Sequence, residues 1–499
     1  MLLPKSLPRI CVALGLPTPA QLARAAEREF KDGNTFLEFR LDYLADPAAG
    51  ADLIRTFRKR YSEAQILATC RRKQNQGRFT GAIEAQIATL RAAASAGAVG
   101  LDLEIESAEA AKSVVAGLRE LAPLIVSFHN FENTPALPPI MRRLERVQAD
   151  VYKLVTTARK PQDNLRVLEF VRNYRGSPLV AFAMSETGAI TRVLTPSLGC
   201  AFTYAAPGEH EGTAAGQIVA KDMRALYRCE KLNRQTRLYG VIADPVAHSK
   251  SPIIHNRAFQ ARRIDAVYLP FLVAQNFLSD WMRVAGILPV AGFSVTIPHK
   301  QRIVRYLDII DPLAKRIGAV NTVWRKGGKW RGANTDTSGV LVPLARHLRL
   351  PHASVLIAGY GGAARAAAVA LREAGAEITI TGRNLESAQA LARTVDAQTT
   401  SIKESQRAHY DALVHATPLG MSPRCDECLF CDSIPADVVL DMVYNPHETV
   451  LLKRAKQQGR QLVYGSEMLL EQAARQFEIW TGESAPRAVM QNALDQHVA

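Results

Sequence analysis

Lys153 stands inside an otherwise apolar run, Val151-Tyr-Lys-Leu-Val155. Burying an ammonium there is costly unless it is paired, loses its proton or does chemistry. A desolvated lysine beside other cations deprotonates more readily and becomes an amine nucleophile that can form a Schiff base with a ketone. His129 ends the preceding apolar run, placed to serve such an imine as general acid or base. Arg40, Arg71 and Arg192 could grip a carboxylate through paired hydrogen bonds. This set describes Schiff-base lyase chemistry on an anionic keto acid.

A second set lies downstream. Lys300 follows Ala291-Gly-Phe-Ser-Val-Thr-Ile-Pro-His, and Asp336 sits in Gly332-Ala-Asn-Thr-Asp. A lysine and a carboxylate can relay the proton that moves when a carbon exchanges a hydride. Ser354-Val-Leu-Ile-Ala-Gly-Tyr-Gly-Gly-Ala-Ala reads as strand, glycine turn and helix, and Gly359-x-Gly361-x-x-Ala364 fits the dinucleotide fingerprint, with Gly362 and Ala363 in the turn. The pyrophosphate would rest on the helix N-terminus. About 20 residues on, where NAD enzymes carry an acid for the ribose hydroxyl, the chain offers Arg383 and Asn384. An arginine there attracts a 2′-phosphate, so NADP is expected. Cys425-x-x-Cys428-x-x-Cys431 has ligand-like spacing but no clear fourth ligand, so it is read as a loop and no metal is expected.

These residues need elements to converge them. Up to about residue 215, eight short β-branched or aromatic runs alternate with helical stretches, beginning at Ile10, Thr35, Ile66, Val99, Leu124, Asp150, Leu179 and Leu198. The polar residues Glu38, Arg40, Asp42, Arg71, Asp102, Glu104, His129, Lys153 and Ser185 fall within or at the ends of these runs. In a (β/α)8 barrel those ends meet at one mouth. Glu38, Arg40 and Asp42, spaced by two, are expected to share one strand face. A basic connector follows, and the pattern restarts at Leu238. The domains expected are a barrel at 1–225, a mixed α/β lobe at 237–340 completed by 465–499, and a Rossmann-like lobe at 341–464.

The chain has 499 residues, 47% hydrophobic and 22% charged, the balance of a folded globular protein. Its net charge of +15 is dispersed, without a basic tail or aromatic interleaving. This favours small anionic ligands over nucleic acid. No apolar stretch suits a membrane span, and Pro4 and Pro8 break the short N-terminal apolar runs. Seven cysteines without framework spacing suit free thiols in a reducing compartment, so a cytoplasmic location is expected. Oligomeric state is not legible.

Over residues 1–225 the chain resembles type I 3-dehydroquinate dehydratases. The family's Glu-x-Arg-x-Asp strand is matched by Glu38, Arg40 and Asp42, and its Thr-x-Arg end by Thr69 and Arg71. Its histidine segment is matched by Ser127-Phe-His129-Asn-Phe131 and its imine lysine by Lys153. Met184, Gly188 and Arg192 match the next loop, and Thr213-Ala-Ala-Gly-Gln217 matches Ser-Ala-Pro-Gly-Gln. The resemblance implies that Lys153 forms the Schiff base, His129 removes the adjacent proton, and Arg192 and Gln217 bind substrate. Asn75 stands where the family has a glutamate that orients the histidine, so His129 is expected to have a lower pKa, or to draw on Glu104 or Asp102 for charge.

From about residue 237 the chain resembles shikimate dehydrogenases, first in Gly240-Val-Ile-Ala-Asp-Pro-Val-Ala-His-Ser-Lys-Ser-Pro252. The resemblance implies that Ser249 and Ser251 hold the substrate carboxylate, that Lys300 and Asp336 form the catalytic pair, and that Asn321 and Thr296 complete the site. It also assigns Tyr444 and Gln472 to the substrate and Thr417 and Gly465 to the cofactor side, with His415 in place of the usual asparagine. Together the two resemblances imply a fused shikimate-pathway enzyme whose small-molecule substrates are 3-dehydroquinate, 3-dehydroshikimate and shikimate. One rival is a quinate dehydrogenase in the second half, against which Ser251 argues. The other is a barrel retained for binding or scaffolding, suggested by Asn75.

Overall fold

A computed structural model describes residues 7–430 and 432–496. Its contacts separate two compact units, one running to Thr236 and including Ser279–Leu288, the other holding Arg237–Leu278 and the residues from Pro289 onward.

The first unit contains β1 (Ile10–Leu14), β2 (Phe36–Arg40), β3 (Gln65–Thr69), β4 (Gly100–Glu104), β5 (Leu124–His129), β6 (Val151–Thr157), β7 (Leu179–Met184) and β8 (Thr203–Ala205). They pair in the order β7-β6-β5-β4-β3-β2-β1-β8, so β8 returns to β1 as a barrel requires. No ladder joins β7 to β8; Ala201 N donates to Leu179 O across that seam at 2.8 Å. The strands read as apolar runs because both faces are covered. Cys11, Phe36, Leu67, Ile125, Val151, Val180, Phe202 and Tyr204 belong to one buried cluster. Outside, helices such as Pro19–Lys31, capped by Thr18, bury a stripe of Leu22, Ala25 and Ala26.

Two expectations need correction. Asp42 is not on the β2 face, because a 3-10 turn, Leu41–Tyr43, begins straight after Arg40. The final strand does not begin at Leu198, because the helix Ala189–Leu198 runs through that residue before Gly199 ends it at φ 130°.

The second unit opens with β9 (Arg237–Ala243), β10 (Ala266–Leu272), β11 (Val290–Val295), β12 (Ile309–Ile310), β13 (Thr322–Lys326) and β14 (Lys329–Ala333), in a mixed sheet ordered β10-β9-β11-β13-β14-β12. Then β15 (Ser354–Ala358), β16 (Glu377–Thr381), β17 (Gln398–Thr399), β18 (Tyr410–His415), β19 (Ala436–Asp441) and β20 (Gln461–Val463) form a parallel sheet ordered β17-β16-β15-β18-β19-β20. Its direction reverses between β15 and β18, the switch point where such sheets bind ligands. The helix Gly465–Thr481 returns to the first sheet, where Gln476 Nε2 donates to Asn321 O at 3.2 Å and Trp480 Nε1 to Val323 O at 3.1 Å.

No described helix is long and apolar enough to cross a membrane. Cys11, Cys70, Cys200, Cys229 and Cys425 are free thiols, as expected, but Cys428 is disulfide-bonded, in a loop of closely spaced cysteines. Cys431 lies outside the described residues. Among the described residues, no three His, Cys, Asp or Glu side chains group to hold a metal ion.

His255 is fully buried, with its ring 4.5 Å from that of Tyr268 and 5.0 Å from that of Trp480. Burial pushes its pKa down to about 3, against the hydrogen bond to Gln476. The unfolded chain, with a histidine near pKa 6.5, takes up a proton that the folded chain refuses. Stability should therefore fall as pH drops from about 6.5 towards 3, by up to about 1.4 kcal/mol per pH unit from this group. Urea unfolding of the intact chain at pH 7, 6 and 5 should show this decline, and His255→Gln should flatten it.

Candidate active sites

Inside the barrel the apolar layers give way to charge towards the C-terminal strand ends. Register places Thr69 beside Asp102, Glu104 beside Ser127, and Ser127 beside Lys153. Asp102, fully buried on β4, is the hub. Its Oδ2 accepts from Lys153 Nζ at 2.7 Å, and its Oδ1 accepts from Ser127 Oγ at 2.6 Å and from Arg71 Nη2 at 3.3 Å. Burial opposes its charge, but Lys153 and Arg71 outweigh burial and hold the carboxyl far below the usual range. Lys153 lies 4.0 Å from Glu38 Oε1 and sits over the Tyr204 ring, 4.0 Å from its centroid. Desolvation lowers the Lys153 pKa, with Arg71 adding to the effect and Asp102 and Glu38 opposing it. Glu38 in turn accepts from Thr69 Oγ1 at 2.7 Å.

His129 stacks on Phe131, with ring centroids 5.8 Å apart, and its buried Nδ1 has no partner. Desolvation, then the charges of Arg71 and Lys153, push its pKa well below the ordinary value, while Asp102 pulls the other way. Asn75 does not reach it; its Nδ2 donates to Glu106 at 2.8 Å. Glu104 is held by Gln86 Nε2 at 2.9 Å and Arg72 N at 3.1 Å. Of the two acids expected to compensate for Asn75, Asp102 raises the imidazole pKa, against the larger effects of burial, Arg71 and Lys153.

The three arginines differ. Arg40 donates from Nε and Nη2 to Asp42 at 2.9 and 2.8 Å, so an acid already occupies the fork expected to hold substrate. Arg71 keeps a buried Nε without a partner. Arg192 is 1% exposed, lies over the Phe182 ring at 4.1 Å, and pairs with no carboxylate among the described residues. Desolvation pushes its pKa down to about 9. Such a guanidinium is built to receive an anion. In the loop after β8, Gln217 Oε1 accepts from Thr213 N at 2.7 Å and Ala214 N at 3.1 Å. Gly216 there has φ 74°, and a Cβ on it would lie 2.0 Å from Ser185 O, so no other residue fits. Tyr204, which sequence reasoning passed over, lines the same interior with an unpartnered buried hydroxyl. Its signal was its inward place on β8.

In the second unit Lys300 Nζ donates to Asp336 Oδ2 at 2.5 Å, and Asn321 Nδ2 donates to Asp336 Oδ1 at 2.7 Å and to Gln472 Oε1 at 3.3 Å. Four of the expected residues thus form one cluster. Ser251 is buried and bonded to Tyr268, whose hydroxyl donates to Ser294 Oγ at 2.6 Å. Ser251 N donates to Ser249 Oγ at 3.3 Å. Thr296 is held through its backbone, N to Ile242 O at 3.2 Å. No hydrogen bond joins Ser249, Thr296 or Tyr444 to the Lys300 cluster; burial raises the pKa of Tyr444.

Gly359 turns the chain at φ 128°, where a Cβ would meet Ala416 O at 2.8 Å, and no atom lies within 4 Å of a Cβ built on Gly361. The helix Gly362–Glu373 starts there without a side-chain cap, with Ala363 in its first turn. Uncapped N–H groups under open space, with Arg383 exposed after the adjacent β16, suit a phosphorylated dinucleotide. A Cβ on Gly362 would lie 3.5 Å from Lys300 Cβ, so the turn and the lysine are neighbours. Asn384 is engaged as a helix cap, its Oδ1 accepting from Ser387 N at 2.9 Å. Thr417 Oγ1 lies 2.6 Å from His415 Nε2, and Gly465 opens its helix against Val443 O.

Models of three families match the chain: type I 3-dehydroquinase over residues 10–234, the shikimate dehydrogenase substrate binding domain over 241–323, and the shikimate 5′-dehydrogenase C-terminal domain over 465–494. A shikimate dehydrogenase (NADP(+)) of Desulforamulus reducens is 41% identical over 286 residues, 54% of this chain and 98% of that one. A shikimate dehydrogenase solved in complex with NADP+ superposes with a TM-score of 0.51 at 38% identity, covering 54% of this chain and 97% of that one. The chloroplastic bifunctional 3-dehydroquinate dehydratase/shikimate dehydrogenase of Arabidopsis thaliana is 34% identical over 490 residues, 93% of this chain and 80% of its own. Because that likeness runs through both the barrel and the two-lobed half, the chain belongs to the family of bifunctional 3-dehydroquinate dehydratase/shikimate dehydrogenases.

Proposed function

We propose that the barrel dehydrates 3-dehydroquinate to 3-dehydroshikimate through a Schiff base on Lys153, and that the second unit reduces 3-dehydroshikimate to shikimate with NADPH. The observation that carries the first step is a buried lysine, 2.7 Å from Asp102, among unpartnered polar atoms of Arg71, His129, Arg192 and Tyr204. Lys153 adds as the free amine to the carbon of the ring ketone, the protons shed by its nitrogen pass to the carbonyl oxygen, and that oxygen leaves as water when the iminium forms. Neutral His129 takes the adjacent C–H proton while the iminium accepts the electron pair. The resulting imidazolium protonates the departing hydroxyl, and water then frees the lysine. Arg192 holds the carboxylate, with Gln217 and Thr213 beside it.

In the second unit NADPH, when bound, supplies the hydride. Gly359, Gly361, Gly362 and Ala363 would seat its pyrophosphate, and Arg383 its 2′-phosphate. Lys300 delivers a proton to the carbonyl oxygen, and Asp336, fixed by Asn321, orients the ammonium and restores its proton. The free thiols of Cys11, Cys70, Cys200 and Cys229 support a cytoplasmic location, although the Arabidopsis relative is chloroplastic.

Adding 3-dehydroquinate alone to the chain and NADPH should consume NADPH, which requires both reactions; no loss of absorbance would sink the paired reading. Lys153→Ala should lose dehydration and borohydride trapping of the substrate yet keep 3-dehydroshikimate reduction. Lys300→Ala should do the reverse, with kcat down about 10²-fold or more. Because His129 stays neutral well below its ordinary pKa, the acid limb of dehydration kcat/KM should lie below pH 6.5.

A further inference from the structure

The first unit carries a groove of about 520 Å³ that none of the residues expected to act on the dehydratase substrate lines. It lies where the chain leaving β1 meets the helix Pro19–Lys31, the turn after β2 and the loops after β3 and β8. The helix brings Gln21, Arg24 and Arg28 to it, spaced three and four apart as one helix face requires. Leu14, Leu16 and Pro207 give it an apolar part. A concavity of that size with an apolar part and polar groups from separate segments suits a small molecule.

Its charge is one-sided. Three guanidinium groups, of Arg24, Arg28 and Arg78, line the groove against the single carboxylate of Glu211. That carboxylate is already spent, because Arg28 Nη2 donates to Glu211 Oε2 at 2.6 Å. The side chains of Arg24 and Arg78 make no hydrogen bond or ion pair with the described residues. Arg78 is nonetheless fixed in place. Its guanidinium lies 3.9 Å from the centroid of the Tyr43 ring, and its backbone N donates to Asp42 Oδ2 at 3.0 Å. The groove thus accepts one carboxylate from its own chain and keeps two cations unmatched. A monovalent anion would satisfy one of them and leave the apolar part uncovered.

We propose that this groove is a second small-molecule site of the barrel, for an organic anion that carries at least two carboxylate or phosphate groups on a compact carbon body. Arg24 and Arg78 hold it, and Arg28 joins them in exchange for Glu211. The site stands apart from the reactions of either unit. Calorimetric titration of the full chain tests it, with saturating NADP+ and shikimate to fill the second unit and with ionic strength held constant. Citrate is the polycarboxylate probe, glycerol 2-phosphate the phosphate ester and acetate the monoanion. Citrate or glycerol 2-phosphate should fill a site that acetate does not, and the tighter of the two identifies the charged group preferred. Arg24→Ala and Arg78→Ala, at exposed positions, should each weaken that binding about tenfold. Glu211→Gln removes the competing carboxylate and should tighten it several-fold. Binding that persists unchanged in both arginine variants places the anion elsewhere and overturns the proposal. So does an unaltered chain that binds neither probe, or that binds acetate as tightly as citrate, and so does weaker binding in Glu211→Gln.

Discussion

A carboxylate at the centre of a barrel is unfavourable by itself, and Asp102 is tolerated only because three donors converge on it. The compensation is mutual. Lys153 and Arg71 would otherwise repel one another in an interior lined by Tyr204, Val180 and Phe182. Glu38, 4.0 Å from Lys153, adds a second carboxylate to the same interior, so charge balance within the barrel is a condition of its stability.

The second unit solves a related problem with less burial. Asp336 is buried too, but Lys300 keeps 17% of its side chain exposed and is steered by one carboxylate oxygen while Asn321 holds the other. An ammonium in contact with solvent keeps part of its hydration. A fully enclosed ammonium is instead poised to lose its proton and attack carbon. The two lysines differ in chemistry because they differ in desolvation.

Much of this was legible in the sequence because strand period and buried polarity leave marks in a linear chain. The eight apolar runs, the inward Lys153, and the glycine turn ahead of an alanine-rich helix all carry local patterns. What was not legible depends on partners far apart in sequence. That Asp42 occupies Arg40 follows from a 3-10 turn that spacing by two cannot foresee. Tyr204 looked like one more core aromatic until its hydroxyl proved unpartnered, and His415 looked like a lost contact until Asp441 and Thr449 were seen around it. The disulfide at Cys428 lay hidden because composition speaks for the chain as a whole and not for one loop.

The seam between β7 and β8 is where the cylinder has no ladder, and the mouth above it is spanned by the loop that follows β8. Ser185 N donates to Ala215 O at 3.3 Å, and Gly216 lies flat against Ser185 O. The loop is therefore the clasp of the barrel as well as a wall of its site. Arg192 Nη2 lies 3.5 Å from Ala215 O, so the guanidinium that pairs with no carboxylate among the described residues sits against the fastening itself.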